Sequence, residues 1–254
     1  PDIDGDGFSN AEELAAGTDP HSPASKPTLQ TGLVAWFPFD GNANDASGNG
    51  NHGTVHGATL GTDRHGRPGK AYGFDGSANY LSANLSPNLS GKKISISAWV
   101  KLLSPAGSSF SFPYVIHAKG GANDETFSIG MESDWIEVWG AGRGLYFSES
   151  RRLTPSIWTM LTVSMNENAL TYYVNGQLNE ATAAGTAKSL NISNISIGCR
   201  EGNNFFKGSI DEVRIYDRAL SAAEVQALYQ LENTPPTENN NTSPPTDNNQ
   251  TNPN

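Results

Sequence analysis

The first acidic residues of the chain have the types and the spacing of a calcium-binding loop. Residues 2–13 match the pattern D-x-[DN]-x-[DN]-G-x5-E at every fixed position. Carboxylate, amide and carbonyl oxygens are the ligands that calcium prefers, and Gly7 stands where such a loop must turn sharply. The sequence therefore predicts one calcium ion, bound by side-chain oxygens of Asp2, Asp4, Asp6, Asn10 and Glu13 and by the backbone carbonyl of Phe8.

A second group of acidic residues indicates a second calcium ion. Counting by twos along the apolar strand near the end of the chain places Asp211 on the same face as Val213 and Ile215. A carboxylate on an apolar face needs a metal ion or an opposite charge. Because Asp40 and Asp45 follow an early apolar run, we predict that they share this ion with Asp211. The alternative is that Asp211 only accepts backbone hydrogen bonds at a strand end.

Three further acids raise the possibility of catalysis. Glu132, Asp134 and Glu137 have the spacing E-x-D-x-x-E, which resembles the catalytic signature of jelly-roll glucanases. Retaining hydrolysis needs two carboxylates about 5 Å apart, and one bulged strand could present all three acids together. However, the runs Phe127–Met131 and Ile136–Trp139 each alternate as separate strands, which favours a turn between them. We therefore predict that the protein is not an enzyme.

Aromatic residues in turn-rich segments are candidates for ligand binding. Rings beside Asn, Asp and Ser suit a sugar, which has both an apolar face and a hydroxyl rim. The alternative is that most of these rings pack in the core. The candidates are Phe110, Phe112, Tyr114, Trp135, Trp139 and Phe205.

The elements that position these residues are mainly strands. Short apolar runs alternate with Gly, Asn, Asp and Ser clusters, which predicts an all-β, antiparallel two-sheet sandwich. Asn175-Gly176 is typical of a hairpin turn, and Ser221 followed by Glu224 forms a capping box that predicts one short C-terminal helix. The predicted runs are 33–39, 71–74, 80–83, 94–102, 114–118, 127–131, 136–139, 145–147, 158–165, 169–174, 195–198 and 206–216.

Composition excludes several classes of partner. The formal net charge of the 254 residues is −10, which argues against nucleic acid and against a basic membrane-binding surface. No apolar run approaches the length of a membrane span, so we expect no membrane insertion. The single cysteine, Cys199, excludes an internal disulfide and is expected to be a buried apolar residue.

Two stretches resemble known families. Residues 2–25, DIDGDGFSNAEELAAGTDPHSPAS, resemble a thrombospondin type 3 repeat, which implies a calcium-stiffened connector. Five blocks between residues 32 and 231 are similar to a LamG-like, or concanavalin A-like lectin/glucanase, jelly roll. That resemblance implies that the first and last strands are neighbours, with calcium on the sandwich rim near Asp40. The blocks are LVAWFPFDGNANDASGNGNHGT, AYGFDGSANYLSA, ISISAWVKL, LTVSMNENALTYYVNGQL and GSIDEVRIYDRALSAAEVQALY.

These observations predict four segments and one preferred function. We expect a calcium loop at 1–20, a linker at 21–31, the jelly-roll domain at 32–231 and a Pro/Asn/Thr-rich linker tail at 232–254. Pro1 opens directly onto a motif, so we expect a piece of a longer chain. The preferred function is a non-catalytic, calcium-dependent module of a secreted or surface-attached bacterial protein that binds glycan or extracellular matrix. The alternatives are a subunit of an extracellular filament, which binds copies of itself through its linker ends, and a glycoside hydrolase.

Overall fold

Short strands joined by turns form almost all of the regular structure in the described part of the chain. The computed structural model describes residues 2–5, 10, 13–14, 18–25, 28–103, 113–120, 126–132, 135–140, 143–146, 153–167, 169–183 and 189–235. The strands are β1 (Leu33–Phe37), β2 (Thr54–His56), β3 (Thr59–Thr62), β4 (Pro68–Asp75), β5 (Tyr80–Gly91), β6 (Ile94–Leu102), β7 (Tyr114–Gly120), β8 (Thr126–Glu132), β9 (Trp135–Gly140), β10 (Arg143–Tyr146), β11 (Thr159–Met165), β12 (Ala169–Val174), β13 (Gln177–Ala183), β14 (Leu190–Ile197) and β15 (Lys207–Tyr216). Helix α1 (Ala222–Asn233) follows the last strand.

The strands form two antiparallel sheets. Sheet A has the order β13-β12-β11-β6-β15-β4-β3, and β1 pairs with β15 beside this path. Sheet B has the order β10-β9-β8-β7-β14-β5-β2. The first and last strands are therefore direct neighbours, with Trp36 opposite Arg214 and Phe37 opposite Val213. This arrangement confirms the predicted sandwich and the predicted pairing of its first and last strands.

The main core lies between the two sheets. Alternate residues of each strand meet there, because successive side chains of a strand point to opposite faces. A second, smaller cluster forms where α1 packs on the other face of sheet A and includes Trp99, Tyr216, Val225 and Leu228. Large, fully buried side chains of the main core include Phe37, Phe39, Ile96, Ile116, Phe127, Ile129 and Phe206.

The local turn and cap predictions are confirmed. The hydroxyl of Ser221 accepts a hydrogen bond from the N–H of Glu224 at 3.2 Å, and the Glu224 carboxylate accepts one from the N–H of Ser221 at 2.9 Å. Asn175 and Gly176 have φ of 50° and 76°, as the hairpin turn between β12 and β13 requires. The three strands that the sequence pattern did not predict are β2, β3 and β13.

The boundaries of the jelly-roll domain extend beyond the predicted 32–231. Arg218 donates to the carbonyls of Thr28 (3.2 Å) and Thr31 (2.8 Å), and Leu29 packs against the smaller cluster. At the other end, Glu232 in the last turn of α1 is only 4% exposed. The last part of the predicted linker is therefore bound to the domain, and the predicted tail begins inside the helix. None of the described helices is both long and apolar enough to cross a membrane.

Candidate functional site

In the described part of the N-terminal loop, side-chain oxygens accept hydrogen bonds from the backbone of the loop. The Asn10 side-chain oxygen accepts a hydrogen bond from the N–H of Ile3 at 3.0 Å, and Asp2 Oδ1 accepts one from the N–H of Gly5 at 2.8 Å. Glu13 is fully buried, which is unusual for a carboxylate in a short segment. These hard oxygen donors fit calcium better than a softer metal.

Two of the predicted ligands of this loop, Asp6 and Phe8, lie outside the described residues. Among the residues that are described, no group of three or more His, Cys, Asp or Glu side chains could hold a metal ion. The calcium ion at Asp2, Asp4, Asp6, Phe8, Asn10 and Glu13 therefore stays a prediction.

The predicted second calcium site is not formed, because its three acids have different partners. Asp40 is exposed and lies 3.4 Å from the ammonium of Lys70. Asp45 accepts hydrogen bonds from a neighbouring loop and from β1, whereas Asp211 pairs with Arg64 at 2.8 Å. An arginine thus supplies the opposite charge that the buried Asp211 requires.

Asp45 has a structural role at the free edge of β1. Its Oδ1 accepts from the N–H groups of Trp36 (2.9 Å) and Ser47 (2.8 Å), and its Oδ2 accepts from the Ser47 hydroxyl (2.8 Å) and the N–H of Asn51 (2.9 Å). Burial opposes ionisation, but these donors outweigh it and lower the pKa of Asp45. The carboxylate thus accepts from the N–H of Trp36 in the place where a neighbouring strand would otherwise do so. Its two oxygens already accept four hydrogen bonds.

Asp211 lies on the face of sheet A that packs against α1, not on the face that the alternation predicted. A β-bulge shifts the register between Asp211 and Arg214, and Glu212 has a φ of 49°. The extra residue puts Ile210 and Val213 into the main core and leaves Asp211 beside Trp99, its partner on β6. The simple count by twos was therefore wrong for Ile210 and Asp211, whereas Val213 and Ile215 share the core face as the count predicted.

A buried ionic cluster surrounds Asp211 and ties the end of α1 to sheet A. Arg64 donates to Asp211 and to the carbonyl of Glu232, and its guanidinium lies 4.9 Å from the centre of the Trp99 ring. The Glu232 carboxylate accepts from Trp99 Nε1 and pairs with Arg214, both within 2.8 Å. Burial raises the pKa of Glu232 and raises that of Asp211 to about 8, against the opposing charge of Arg64. The cluster is enclosed, so we assign it to stability.

The acids of the predicted catalytic alternative lie on two strands rather than one. Glu132 ends β8 and pairs with Trp135 of β9, while Glu137 pairs with Gly130. The hypothesis that one bulged strand carries all three acids is therefore wrong, and the predicted separation into two strands is confirmed. Asp134 falls in the connection 133–134, outside the described residues.

One of the predicted aromatic candidates, Tyr114, lies on the outer face of sheet B, which is the face opposite the core. It is only 4% exposed, with its ring against His117 and the Arg200 guanidinium. Trp135 and Trp139 belong to β9, but their side chains lie outside the described part of the structure. Phe110 and Phe112 lie outside the described residues.

Three partly exposed rings form a continuous row at one end of the outer face of sheet B. The His56 and Tyr80 rings are stacked, with centroids 4.2 Å apart and an angle of 12°, and the Phe205 ring lies 6.4 Å from Tyr80. His56 Nε2 is 2.9 Å from the hydroxyl of Ser82. We call His56, Tyr80 and Phe205 the aromatic row. Sequence reasoning found Phe205 but missed His56 and Tyr80.

The row is held by regular structure on both sides. His56 on β2 pairs with Tyr80 on β5, so the two rings are cross-strand neighbours. Phe205 is presented by the loop after β14, in which Arg200 and Asn203 exchange two backbone hydrogen bonds of 2.8 Å. The next residue, Phe206, is fully buried and anchors this loop in the core. The three rings are therefore positioned before any ligand arrives.

A buried polar group lies further along the same face. His117 is 2% exposed, and its Nδ1 lies 2.7 Å from the hydroxyl of Ser128. Burial, followed by the charge of Arg200, lowers the pKa of His117 to about 4. A neutral histidine enclosed in this way supports the sheet and does not contact solvent.

The fold and the sequence together define the class of this protein. Residues 75–226, more than half of the chain, match the family described as the Concanavalin A-like lectin/glucanases superfamily, and residues 2–23 match the Bacterial TSP3 repeat. The chain therefore belongs to the concanavalin A-like lectin/glucanase superfamily, as its sequence blocks predicted. No curated protein matched the sequence.

Several solved structures with the same fold are binding domains. The binding domain of botulinum neurotoxin serotype G has a TM-score of 0.65 and 16% identity, over 79% of this chain and 51% of that chain. The binding domain of Paraclostridial Mosquitocidal Protein 1 has a TM-score of 0.66 and 18% identity, over 81% and 53%. The chain thus spans about half the length of these toxin domains.

A third similar structure matches over nearly its whole length. Domain 4 of AbnA, a GH43 extracellular arabinanase from Geobacillus stearothermophilus, was solved in complex with arabinotriose. It has a TM-score of 0.60 and 24% identity, over 78% of this chain and 98% of that chain. At these identities the likeness establishes a shared fold.

Proposed function

We propose that this protein is a non-catalytic glycan-binding module and that the aromatic row is its primary contact. The observation that carries the proposal is the preformed row of His56, Tyr80 and Phe205, partly exposed on the outer face of sheet B. An aromatic ring packs on the C–H face of a sugar, while nearby hydroxyl and amide groups bond its rim.

The surroundings of the row supply such polar groups. Ser82 lies beside His56, and the exposed Asn203 belongs to the loop that presents Phe205. Lys119 and Glu201 form an exposed ion pair near the same loop, and the further cation there, Arg200, has its guanidinium over the Tyr114 ring. Because these charges already have partners, we infer that a neutral oligosaccharide suits the row better than a strongly anionic glycan.

The similar structures support a binding role. They are binding domains and one domain solved with arabinotriose, and at this level of identity they suggest where to begin a ligand search. On the same grounds we propose an extracellular or cell-surface location, with a glycan or an extracellular matrix component as partner.

We propose that calcium binds at the N-terminal loop and at no other described site. We infer that Asp2, Asp4, Asp6, Asn10 and Glu13 hold one ion with the Phe8 carbonyl, in agreement with the match to the Bacterial TSP3 repeat. When bound, calcium would neutralise the loop carboxylates and stiffen the connector that precedes the jelly roll. A second ion is not proposed, because Arg64 replaces it at Asp211.

The proposal is tested by binding measurements on three variants. Calorimetric titration with arabinotriose and a panel of neutral oligosaccharides should detect binding by the wild type, and Tyr80→Ala and Phe205→Ala should each weaken it about tenfold, equivalent to the loss of one stacked ring. The control is Trp158→Ala, which removes a partly exposed ring that lies beside Lys101, outside the row. Equal loss in all three variants, or unchanged affinity in the two row variants, would contradict the proposal.

A further inference from the structure

A cleft of about 410 Å³ lies where the segment that leads into β1 meets the C-terminal half of β5. Its walls come from the start of β1, the loop that follows Asp45, and residues 86–90 of β5. Val34 and Pro87 give it an apolar floor, with Leu33 and Leu89 buried behind them, whereas exposed amide and hydroxyl groups surround the rim. Its volume lies in the range of small-molecule sites.

Two asparagines fix the walls of this cleft. The buried Asn51 donates to the carbonyl of Val34 at 2.9 Å and accepts from the N–H of Ser86 at 2.8 Å, so it joins β1 to β5. Asn49 donates to the carbonyls of Leu33 (2.9 Å) and Val34 (3.0 Å). Their amides are engaged in the protein and hold the cleft open at a fixed width.

The remaining wall is held by an arginine. Arg218 is paired with Glu224 through two hydrogen bonds of 2.9 and 2.6 Å, and it donates to the backbone of residues 28 and 31. This contact places Gln30 on the rim next to Asp217. Gly32 has a φ of 68°, and a Cβ there would lie 2.5 Å from Asp217 Oδ1, so only glycine permits this close wall.

The chemistry of the rim selects a neutral ligand with several hydroxyl groups. The described lining residues include no Lys, Arg or His, and Asp217 is the single ionisable group among them. An anion would find no positive charge there and would meet the carboxylate of Asp217. Gln30, Asn88 and Ser90 instead offer amide and hydroxyl groups that both donate and accept hydrogen bonds.

We propose that this cleft is a second binding site, which takes a neutral polyhydroxylated ligand of the size of one sugar residue. The apolar floor contacts one face of the ligand ring, and the rim bonds its hydroxyl groups. The cleft and the aromatic row lie toward opposite ends of β5, which is roughly 30 Å long from Tyr80 to Ser90 at the usual rise per residue. The two sites are therefore independent, and the cleft does not rest on the function proposed for the row.

The test is a titration of the isotope-labelled full chain, followed by amide resonances. The neutral probes are methyl α-D-glucopyranoside, methyl β-D-galactopyranoside and N-acetyl-D-glucosamine, and the anionic probe is D-glucuronate. At least one neutral probe should shift the amides of Asn88, Ser90 and Asp217 in a saturable way, and D-glucuronate should not. Ser90→Trp, which fills the cleft from an exposed position, should weaken this binding at least about tenfold.

Two controls keep the outcomes distinct. Thr59→Trp places the same ring on an exposed position of β3 outside the cleft, and Tyr80→Ala removes a ring of the aromatic row. Neither should change binding at the cleft. The proposal is overturned if no neutral probe shifts the cleft amides, if D-glucuronate binds as well as the neutral probes, or if all shifts map to Tyr80 and Phe205. That last outcome would still support the aromatic row.

Discussion

Replacing Arg64 with Met should strongly destabilise the domain, because Arg64 is the only described cation paired with Asp211. The change keeps an apolar stem of similar size but removes the ion pair of 2.8 Å and the hydrogen bonds to the Glu232 carbonyl. It also removes the cationic group from the face of Trp99. Asp211 would then be a carboxylate that is 1% exposed and has no opposite charge among its described contacts.

The expected loss follows from the burial of the pair. The two side chains are 7% and 2% exposed, and removing one partner of such a pair typically costs about 3–5 kcal/mol. Asp211 can take up a proton to relieve part of this penalty, since burial already raises its pKa to about 8. Near pH 6 Asp211 is largely protonated, so the full penalty of an unpaired charge applies only above this pKa. We therefore expect a loss of about 3 kcal/mol near pH 9 and a smaller loss near pH 6.

The assay is urea unfolding followed by tryptophan fluorescence, with Lys70→Met as the matched control. Lys70 pairs with Asp40 at 3.4 Å, but these side chains are 37% and 52% exposed, so its removal should cost less than about 1 kcal/mol. A loss below about 1 kcal/mol for Arg64→Met near pH 9 would refute the reasoning. So would a loss that depends on chelator, because Asp211 would then bind calcium rather than arginine.

Three further predictions concern the acids and the tail. The pKa of Asp211 is about 8 in the folded state against an ordinary value of 3.8, so between these pH values the folded state holds a proton that the unfolded chain releases. The stability of the fold therefore falls as the pH rises across this range, by up to about 1.4 kcal/mol per pH unit. Melting curves recorded at several pH values should show a flatter fall for Asp211→Asn. Asp4→Ala should remove one bound calcium ion in calorimetry while the domain melts as before, and an unchanged ion count would contradict the N-terminal site. Deleting residues 236–254 should leave folding intact and reduce any self-association, and unchanged sedimentation would show the tail to be a spacer.

Signals that act over a few residues allowed much of the fold to be predicted. The capping box at Ser221 and the Asn175-Gly176 turn depend on neighbouring backbone groups alone, and both occur as expected. The predicted strands 94–102 and 169–174 agree with β6 and β12 at both ends because apolar alternation persists along them. The missed strands β2 and β3 are short, exposed edge strands, which carry little apolar pattern.

The position of Asp211 could not be read from its own strand. A single bulge reverses the face of every residue beyond it, and nothing in the sequence marks Glu212 as the residue with positive φ. Its partner Arg64 lies 147 residues earlier in a loop, so only the tertiary fold shows the pair. The reasoning that a buried carboxylate needs an opposite charge was sound, but it predicted a calcium ion where the fold supplies an arginine.

The aromatic row illustrates the same limit on the candidate site. Tyr80 begins the run in which Leu81 and Ala83 point inward, so alternation could have placed its ring on the outer face. His56 stacks on this ring only because β2 pairs with β5. Phe205 completes the row only because a loop distant in sequence brings it there. Residue type suggested sugar binding, whereas the fold determined which rings meet.

The most direct test of glycan binding at the aromatic row is a glycan array probed with the full chain and with Tyr80→Ala, each checked for a native melting curve. The account predicts that the wild type binds a group of neutral glycans and that Tyr80→Ala loses binding to this group, while addition of a chelator leaves wild-type binding at the row unchanged because the calcium loop lies outside it. Retention of the same glycan profile by a folded Tyr80→Ala variant would contradict the account.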